Sequence, residues 1–145
     1  MNELVSEVSE KISAMTKKID SEAKWNDGNW LSKAAVSLAS LNATLGEHIA
    51  GYEQDENTLE AHLKYTRESI IKEVVEGKRG DKKTEAYAKA TARIDTQDIE
   101  SDYIKARYVV RLLNIKRVDT NNLVTAIQSR LRYLNNEAAK SNLAT

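Results

Sequence analysis

The sequence predicts an all-α fold, a long antiparallel helical hairpin or coiled coil with an extra N-terminal helix and a short helix in the connection. The first observation is that the 145 residues contain no proline, whereas average usage would give roughly seven. Proline is the strongest helix breaker, so its absence favours long uninterrupted helices. The second observation is that apolar residues recur every three or four positions along most of the chain, which is the spacing of one helix face. At this length we expect a single domain, residues 1–145.

The first two predicted helices, 1–22 and 30–76, are separated by a turn rich in Asn, Asp and Gly. The apolar stripe of the first helix consists of Leu4, Val8, Ile12, Met15 and Ile19. The same rhythm continues through the second helix, whose length of roughly 69 Å suits a coiled coil better than a compact bundle. Gly46 and Gly51 lie inside this helix. Because glycine is a poor helix former, we expect the two to mark the close approach of a neighbouring helix.

The connection begins with a break at 77–81 and continues as a short helix, 82–94, for which Asp81 is the expected N-cap. The last helix is predicted over 96–138, because its apolar residues alternate at four and three positions without a slip. Two polar residues, Arg117 and Thr120, interrupt this heptad seam in the middle. The whole seam comprises Ile99, Tyr103, Ala106, Val110, Leu113, Arg117, Thr120, Val124, Ile127, Leu131 and Leu134. Four poor helix formers follow one another at 119–122, so we expect a kink or a short break there.

A second apolar stripe on the last helix indicates self-association. It comprises Ile104, Tyr108, Leu112, Ile115, Ala126 and Tyr133. One stripe needs one neighbouring helix and two stripes need two, of which the second helix supplies one. The other neighbour is the first helix or another subunit, and the elongated helices favour another subunit. We therefore expect a homo-oligomer. The residues expected at its interface are Val124, Ile127, Leu131 and Leu134.

The residue types predict a protein that is not an enzyme and that holds no metal or cofactor. The chain has no cysteine, which excludes disulfides, thiolate zinc sites, iron–sulfur clusters and cysteine nucleophiles. The two histidines, His48 and His62, would lie about 21 Å apart on a continuous helix, too far to share one metal ion. No cluster of serine, histidine and acid stands out, so we assign no catalytic residues. Without a signal pattern or a long apolar run, we expect a cytoplasmic protein that does not enter the membrane.

The zero net charge of the chain hides an asymmetry along its length. Residues 1–76 carry 8 basic and 14 acidic side chains, and residues 77–145 carry 14 basic and 8 acidic ones. A locally basic region can bind a polyanion even when the whole chain is neutral. The side chains expected to contact nucleic acid are Lys78, Arg79, Lys82, Lys83, Lys89, Arg93, Arg107 and Arg111. Two interpretations compete with this one: Arg107 and Arg111 pair with the acidic second helix, or the whole set is a solvated face.

Four segments carry a resemblance to a known family. They are Trp30–Lys33 at the start of the long helix, Gly77–Asp81 in the break, Asp95–Tyr103 at the entry to the last helix, and Leu123–Arg130. In these segments and in the order of its helices, the chain resembles the UvsY-type recombination mediator proteins of tailed phages over roughly residues 30–135. The resemblance implies a non-enzymatic protein that forms ring-like oligomers through helices and binds single-stranded DNA. It also implies that the protein helps a RecA-like recombinase replace single-strand-binding protein. The first helix departs from the family's layout.

We therefore expect a recombination accessory protein that binds single-stranded DNA without sequence preference and assists recombinase loading, in the host cytoplasm if it is phage-encoded. Single strands are bound by cationic tracks and by stacking on aromatic rings. Tyr87 lies inside the basic region, whereas Tyr103, Tyr108 and Tyr133 lie on apolar stripes and are expected in the core. Two alternatives belong to other classes. One is a helical inhibitor of a host or defence complex with an acidic half that mimics DNA, and the other is a structural coiled-coil or chaperone-like protein.

Overall fold

The computed structural model of the protein describes residues 2–144. The helices are α1 (Glu3–Ser21), α2 (Gly28–Val75), α3 (Glu85–Asp95) and α4 (Gln97–Leu143), with a 3-10 turn at Lys24–Asn26. This part of the chain contains no strand, and α2 packs against α4. The predicted all-α class is therefore confirmed, as is the hairpin with an extra N-terminal helix. Within the same residues, no helix combines the length and the apolar character that crossing a membrane requires.

Two helices begin where a side chain accepts a free backbone N–H group. At the start of α1, the side-chain oxygen of Asn2 accepts the N–H of Leu4 at 3.0 Å. At the start of α2, the carboxylate of Asp27 accepts the N–H of Trp30 at 3.0 Å. Such a cap stabilises a helix by about 1 kcal/mol. The long helix therefore begins at Gly28, two residues before the predicted start.

The short helix α3 begins later than the sequence predicts, at Glu85. Thr84 has an extended backbone, and its hydroxyl accepts the N–H of Tyr87 at 3.3 Å. The expected cap at Asp81 is therefore wrong. Threonine and aspartate are both good N-caps, and aspartate is the better of the two, so propensity alone does not identify Thr84. The choice depends on the path of the connecting segment, in which Gly80 has a φ of 130°.

The chain divides into two compact units, whereas the sequence analysis expects a single domain. The first unit contains Met1–Ile49 and Leu112–Thr145, and the second contains Ala50–Arg111. Each unit therefore includes part of α2 and part of α4. α1 belongs to the first unit and α3 to the second.

The core of the first unit takes apolar residues from three helices. They include Val5, Val8, Ile12 and Ile19 from α1, Leu31, Leu38, Leu45 and Ile49 from α2, and Leu113, Val124 and Ile127 from α4. The stripe of α1 differs from the predicted one at its start, since Val5 is fully buried and Leu4 is 45% exposed. Leu4 and Val5 are both apolar and adjacent in sequence, so the periodicity alone does not indicate which of the two faces the core.

α2 and α4 run antiparallel in the first unit. A β-carbon built at Gly28 would lie within 4.0 Å of Leu131 and Leu134, and one built at Gly46 would lie 3.1 Å from the guanidinium of Arg117. Position along α4 thus decreases as position along α2 increases. Gly46 marks a close approach, as predicted, but the atoms that approach it belong to a side chain. The same prediction is wrong for Gly51, where an added β-carbon would meet no atom within 4 Å.

α4 is continuous through 119–122, where the sequence predicts a kink or a short break. Thr120 is only 2% exposed, and its hydroxyl donates to the carbonyl of Lys116 at 2.7 Å. Tertiary packing commonly overrides weak local helix propensity. The segment therefore contains no break.

In the second unit, α3 packs against α2 through small side chains. Ala88 and Ala92 are buried together with Ile70 and Val74, and Ile71 packs against this cluster. Alanine allows close packing but buries little apolar area, and burial stabilises by about 25 cal/mol per Å². Apolar contacts alone therefore hold α3 weakly, and polar contacts add to them.

A polar network ties α2 to the joint between α3 and α4. Thr96 lies at this joint and is fully buried. Its hydroxyl accepts from Nε of Arg67 at 3.0 Å and donates to the carbonyl of Ala92 at 2.7 Å. The same guanidinium donates from Nη2 to Glu100 at 2.9 Å. Every buried polar atom of Thr96 thus has a partner.

Candidate nucleic-acid interface

The basic segment between α2 and α3 is shaped by a helix end that requires glycine. Gly77 has a φ of 76°, the N–H of Lys78 donates to the carbonyl of Glu73 at 2.9 Å, and the N–H of Gly77 donates to that of Val74 at 3.3 Å. This is the Schellman pattern of helix termination. A β-carbon at Gly77 would lie 2.9 Å from the side chain of Lys82. The backbone therefore turns sharply at Gly77, and the side chains that follow on the loop include Lys78, Arg79, Lys82 and Lys83.

Two of the predicted DNA contacts in this loop already pair with carboxylates of the second unit. Nζ of Lys78 lies 2.9 Å from Glu76, and this hydrogen bond raises the pKa of Lys78 and lowers that of Glu76. Nε of Arg79 donates to Glu73 at 2.7 Å and Nη1 donates to Asp95 at 2.9 Å. These two bonds raise the pKa of Arg79 above its ordinary value. Arg79 thus bridges the end of α2 and the end of α3.

One lysine of the loop also lies beside an exposed tyrosine. Nζ of Lys83 lies 5.8 Å from the ring centroid of Tyr87, which is a cation–π distance. Tyr87 is 55% exposed. One turn along α3, Lys89 pairs with Glu85 at 2.7 Å. In residues 2–144, Lys82 and Arg93 have no carboxylate within 4.0 Å, so both remain exposed cations.

The predicted contacts on α4 line a groove with a residue from α2. The groove has a volume of about 500 Å³ and is lined by Glu56, Ile104, Arg107, Tyr108, Val110 and Arg111. Pairing of Arg107 and Arg111 with the acidic second helix is one of the alternatives that the sequence leaves open. Among the described residues neither arginine lies within 4.0 Å of a carboxylate, although Glu56 is half-buried in the same groove. The three charged groups share the groove without an ion pair.

Two of the tyrosines that the sequence analysis expects in the core are at the surface. Tyr108 is 61% exposed, and Tyr133 is 52% exposed with the guanidinium of Arg130 4.9 Å from its ring centroid. Tyr103 is half-buried. The expectation for Tyr108 and Tyr133 is therefore wrong, because the second stripe of α4 is left uncovered. The signal that could have identified Tyr108 is its position between two arginines.

The residues expected at an oligomer interface are largely covered by packing within the chain itself. Ile127 is fully buried and Val124 is 9% exposed, while Leu131 and Leu134 are half-buried beside Gly28. Val124 and Ile127 therefore have little surface left for another subunit, whereas Leu131 and Leu134 remain partly exposed. In the first unit, the exposed apolar residues of α4 are Leu112, Ile115, Val118, Tyr133 and Leu143.

The charge asymmetry along the sequence disappears in the folded units. The first unit contains 10 basic and 9 acidic side chains, and the second contains 12 basic and 13 acidic ones. The reason is that the antiparallel hairpin brings the acidic half of the chain into the same units as the basic half. Neither unit is a strongly charged body, so any attraction of a polyanion depends on local clusters.

Residues 2–144 contain no group of three His, Asp or Glu side chains that could hold a metal ion. Comparison of the chain with protein-family models, with curated proteins and with solved structures finds no match.

Proposed function

We propose that the chain is a non-enzymatic recombination accessory protein that binds single-stranded DNA and assists the loading of a RecA-like recombinase. The resemblance to UvsY-type mediators implies this role, together with displacement of single-strand-binding protein. Contacts with phosphates and stacked bases need no particular sequence, so the strand as a whole binds without sequence preference.

The observation that supports this proposal best is the pairing of exposed tyrosines with cations in the second unit. Tyr108 is exposed and lines the same groove as Arg107 and Arg111, and Tyr87 lies beside Lys83. A single strand offers unpaired base faces and phosphates close together, so an aromatic ring beside a cation suits both. Stacking on such a ring contributes about 1–3 kcal/mol per base.

The ion pairs of the chain change which cations we expect to contact phosphates. Lys78, Arg79 and Lys89 are engaged by the protein's own carboxylates, so a phosphate would have to displace those partners. The cations that need no such exchange are Lys82, Lys83, Arg93, Arg107 and Arg111. We assign the larger part of the electrostatic attraction to this second group.

We further propose that the protein acts as a homo-oligomer through exposed apolar side chains of α4. Leu112, Ile115 and Val118 are 40%, 50% and 58% exposed, and contiguous apolar surface on a protein commonly marks an interaction site. Light scattering of the protein at micromolar concentration tests this point directly. A monomer under these conditions would contradict it.

The DNA proposal is tested with a variant that neutralises four cations, Lys82→Gln, Lys83→Gln, Arg107→Gln and Arg111→Gln. Binding of a fluorescent single strand is measured over a range of salt concentrations. Each lost phosphate contact lowers the salt slope by up to about 0.7, so we expect a decrease approaching 3. Tyr108→Leu should instead weaken binding at an unchanged slope, because stacking releases few counterions.

The matched control neutralises four lysines of the first unit, Lys11, Lys17, Lys18 and Lys33, and changes the net charge by the same amount. We expect its salt slope to remain close to that of the natural sequence. If the first variant is folded and binds with unchanged affinity and slope, the DNA proposal is wrong.

The main alternative, an inhibitor whose acidic half mimics DNA, has less support. Both units are close to neutral, so the acidic half of the sequence does not form a separate acidic body. A protein whose acidic surface imitates DNA would bind a basic partner protein and would not itself bind a single strand. The same salt series therefore distinguishes the two classes.

A further inference from the structure

The groove of the second unit holds three charged side chains that do not pair with one another. Glu56 comes from α2, and Arg107 and Arg111 come from α4. In the described part of the chain, the carboxylate of Glu56 has no hydrogen bond and no cation within 4.0 Å. An acceptor and two cations are thus left available around one cavity.

Tyr108 adds a flat apolar face to the same groove. Its ring is 61% exposed, and Ile104 beside it is 58% exposed. The groove volume of about 500 Å³ is within the range of small-ligand sites. A ligand that suits this lining has a flat ring for Tyr108, an anionic group for the arginines, and hydrogen-bond donors for Glu56.

We propose that this groove binds one nucleotide of a single strand and that Glu56 makes it prefer guanine. The base would stack on Tyr108, and its phosphate would contact Arg107 and Arg111. A carboxylate accepts with two oxygens, and the Watson–Crick edge of guanine presents two adjacent donors, N1–H and the N2 amino group. Thymine presents one donor between two carbonyl acceptors, which the carboxylate would repel.

This inference rests on the proposed function, but it concerns only one nucleotide of the bound strand. The other contacts remain independent of sequence, so the protein would still bind any single strand. A duplex would not fit, because its bases are stacked and its Watson–Crick edges are occupied. The preference therefore also favours single strands over duplexes.

The experiment compares short single strands that differ at one base. Strands of about eight nucleotides are within the usual range of single-strand site sizes. Each is a thymine tract with one central guanine, one central hypoxanthine, or no replacement. Hypoxanthine lacks only the N2 amino group of guanine, so it isolates one donor. Free deoxyguanosine monophosphate is added as a competitor, which distinguishes a nucleotide site from a site that requires a strand.

We expect the guanine strand to bind about tenfold more tightly than the thymine strand, equivalent to about 1.4 kcal/mol. The hypoxanthine strand should lie between them. Glu56→Gln should remove the preference, since an amide presents only one acceptor in place of the carboxylate pair. The matched control is Glu60→Gln, one turn further along α2, which makes the same charge change but does not line the groove.

Each outcome has a distinct meaning. Equal binding of all three strands by the natural protein overturns the guanine site and leaves the proposed function intact. A Glu56→Gln variant that binds every strand more tightly by the same factor also overturns it, because Glu56 would then only compete with phosphate. Failure of the natural protein to bind any strand contradicts the proposed function itself.

Discussion

Replacing Thr96 with valine tests whether the polar network at the α3–α4 joint stabilises the fold. Valine matches threonine in shape but has no hydroxyl. The change would leave Nε of Arg67 without its acceptor at 3.0 Å. The carbonyl of Ala92 would lose the hydroxyl at 2.7 Å but keep the backbone N–H of residue 96 at 3.2 Å. Because Thr96 is fully buried, water cannot easily replace the lost hydroxyl.

The size of the effect follows from the groups that lose a partner. Hydrogen bonds to a charged group contribute about 1.5–3 kcal/mol, and a buried unsatisfied donor carries a desolvation cost of similar size. Arg67 keeps its bond to Glu100 at 2.9 Å, which limits the loss. We therefore expect Thr96→Val to lower the free energy of unfolding by about 1.5–3 kcal/mol. Thr96→Ser keeps the hydroxyl and removes one methyl group, at a cost of about 1 kcal/mol.

The assay is urea unfolding followed by circular dichroism. The free energies of unfolding of the variants are compared only if the slope of that free energy against urea concentration stays the same. Thr58 provides the control, because its hydroxyl makes the same bond to the carbonyl four residues earlier at 2.9 Å but on an exposed surface. Thr58→Val should change stability by no more than about 0.5 kcal/mol. In an Arg67→Met background, Thr96→Val should cost less, because the charged donor is gone. A valine variant at least as stable as the serine variant would refute this reasoning.

The remaining predictions concern backbone conformation. Gly51→Ala should raise the free energy of unfolding by about 1 kcal/mol, since the residue lies inside α2 and its β-carbon would meet no atom within 4 Å; a loss of stability would contradict this. Gly77→Ala should lower it by about 1–2 kcal/mol, because φ is 76° there, and an unchanged urea midpoint would show that the loop relaxes freely. Amide hydrogens of 119–122 should exchange as slowly as those of 124–134, because α4 is continuous and Thr120 is buried. Faster exchange at 119–122 alone would mean that local propensity prevails.

The helices themselves were predictable because helix formation is largely local. The absence of proline and the repeat of three and four positions are properties of neighbouring residues, and they located all four helices to within a few positions. Helix ends were less predictable. At the start of α3, Thr84 caps the helix although aspartate, which Asp81 offers, is the better N-cap residue. The connecting loop must first turn at Gly77 and Gly80.

The burial of apolar side chains was predictable only where a neighbouring helix covers the apolar stripe to which they belong. The seam of α4 is buried at Val110, Leu113, Val124 and Ile127, as its heptad pattern indicates. The second stripe has the same apolar character, yet Tyr108 is exposed. Periodicity shows that a helix has an apolar face, but it does not show whether the fold provides anything to cover that face.

Which charged side chains of the candidate site form ion pairs depended most on tertiary structure. The sequence by itself determined that the second half of the chain is basic and that Lys82, Lys83, Arg107 and Arg111 belong to it. Only the folded chain brings Arg79 to Asp95, 16 positions away, and leaves Arg107 and Arg111 unpaired beside Glu56. The physical reason is that a salt bridge requires charges within about 4 Å of each other. Distance along the chain does not determine that separation once helices fold back on one another.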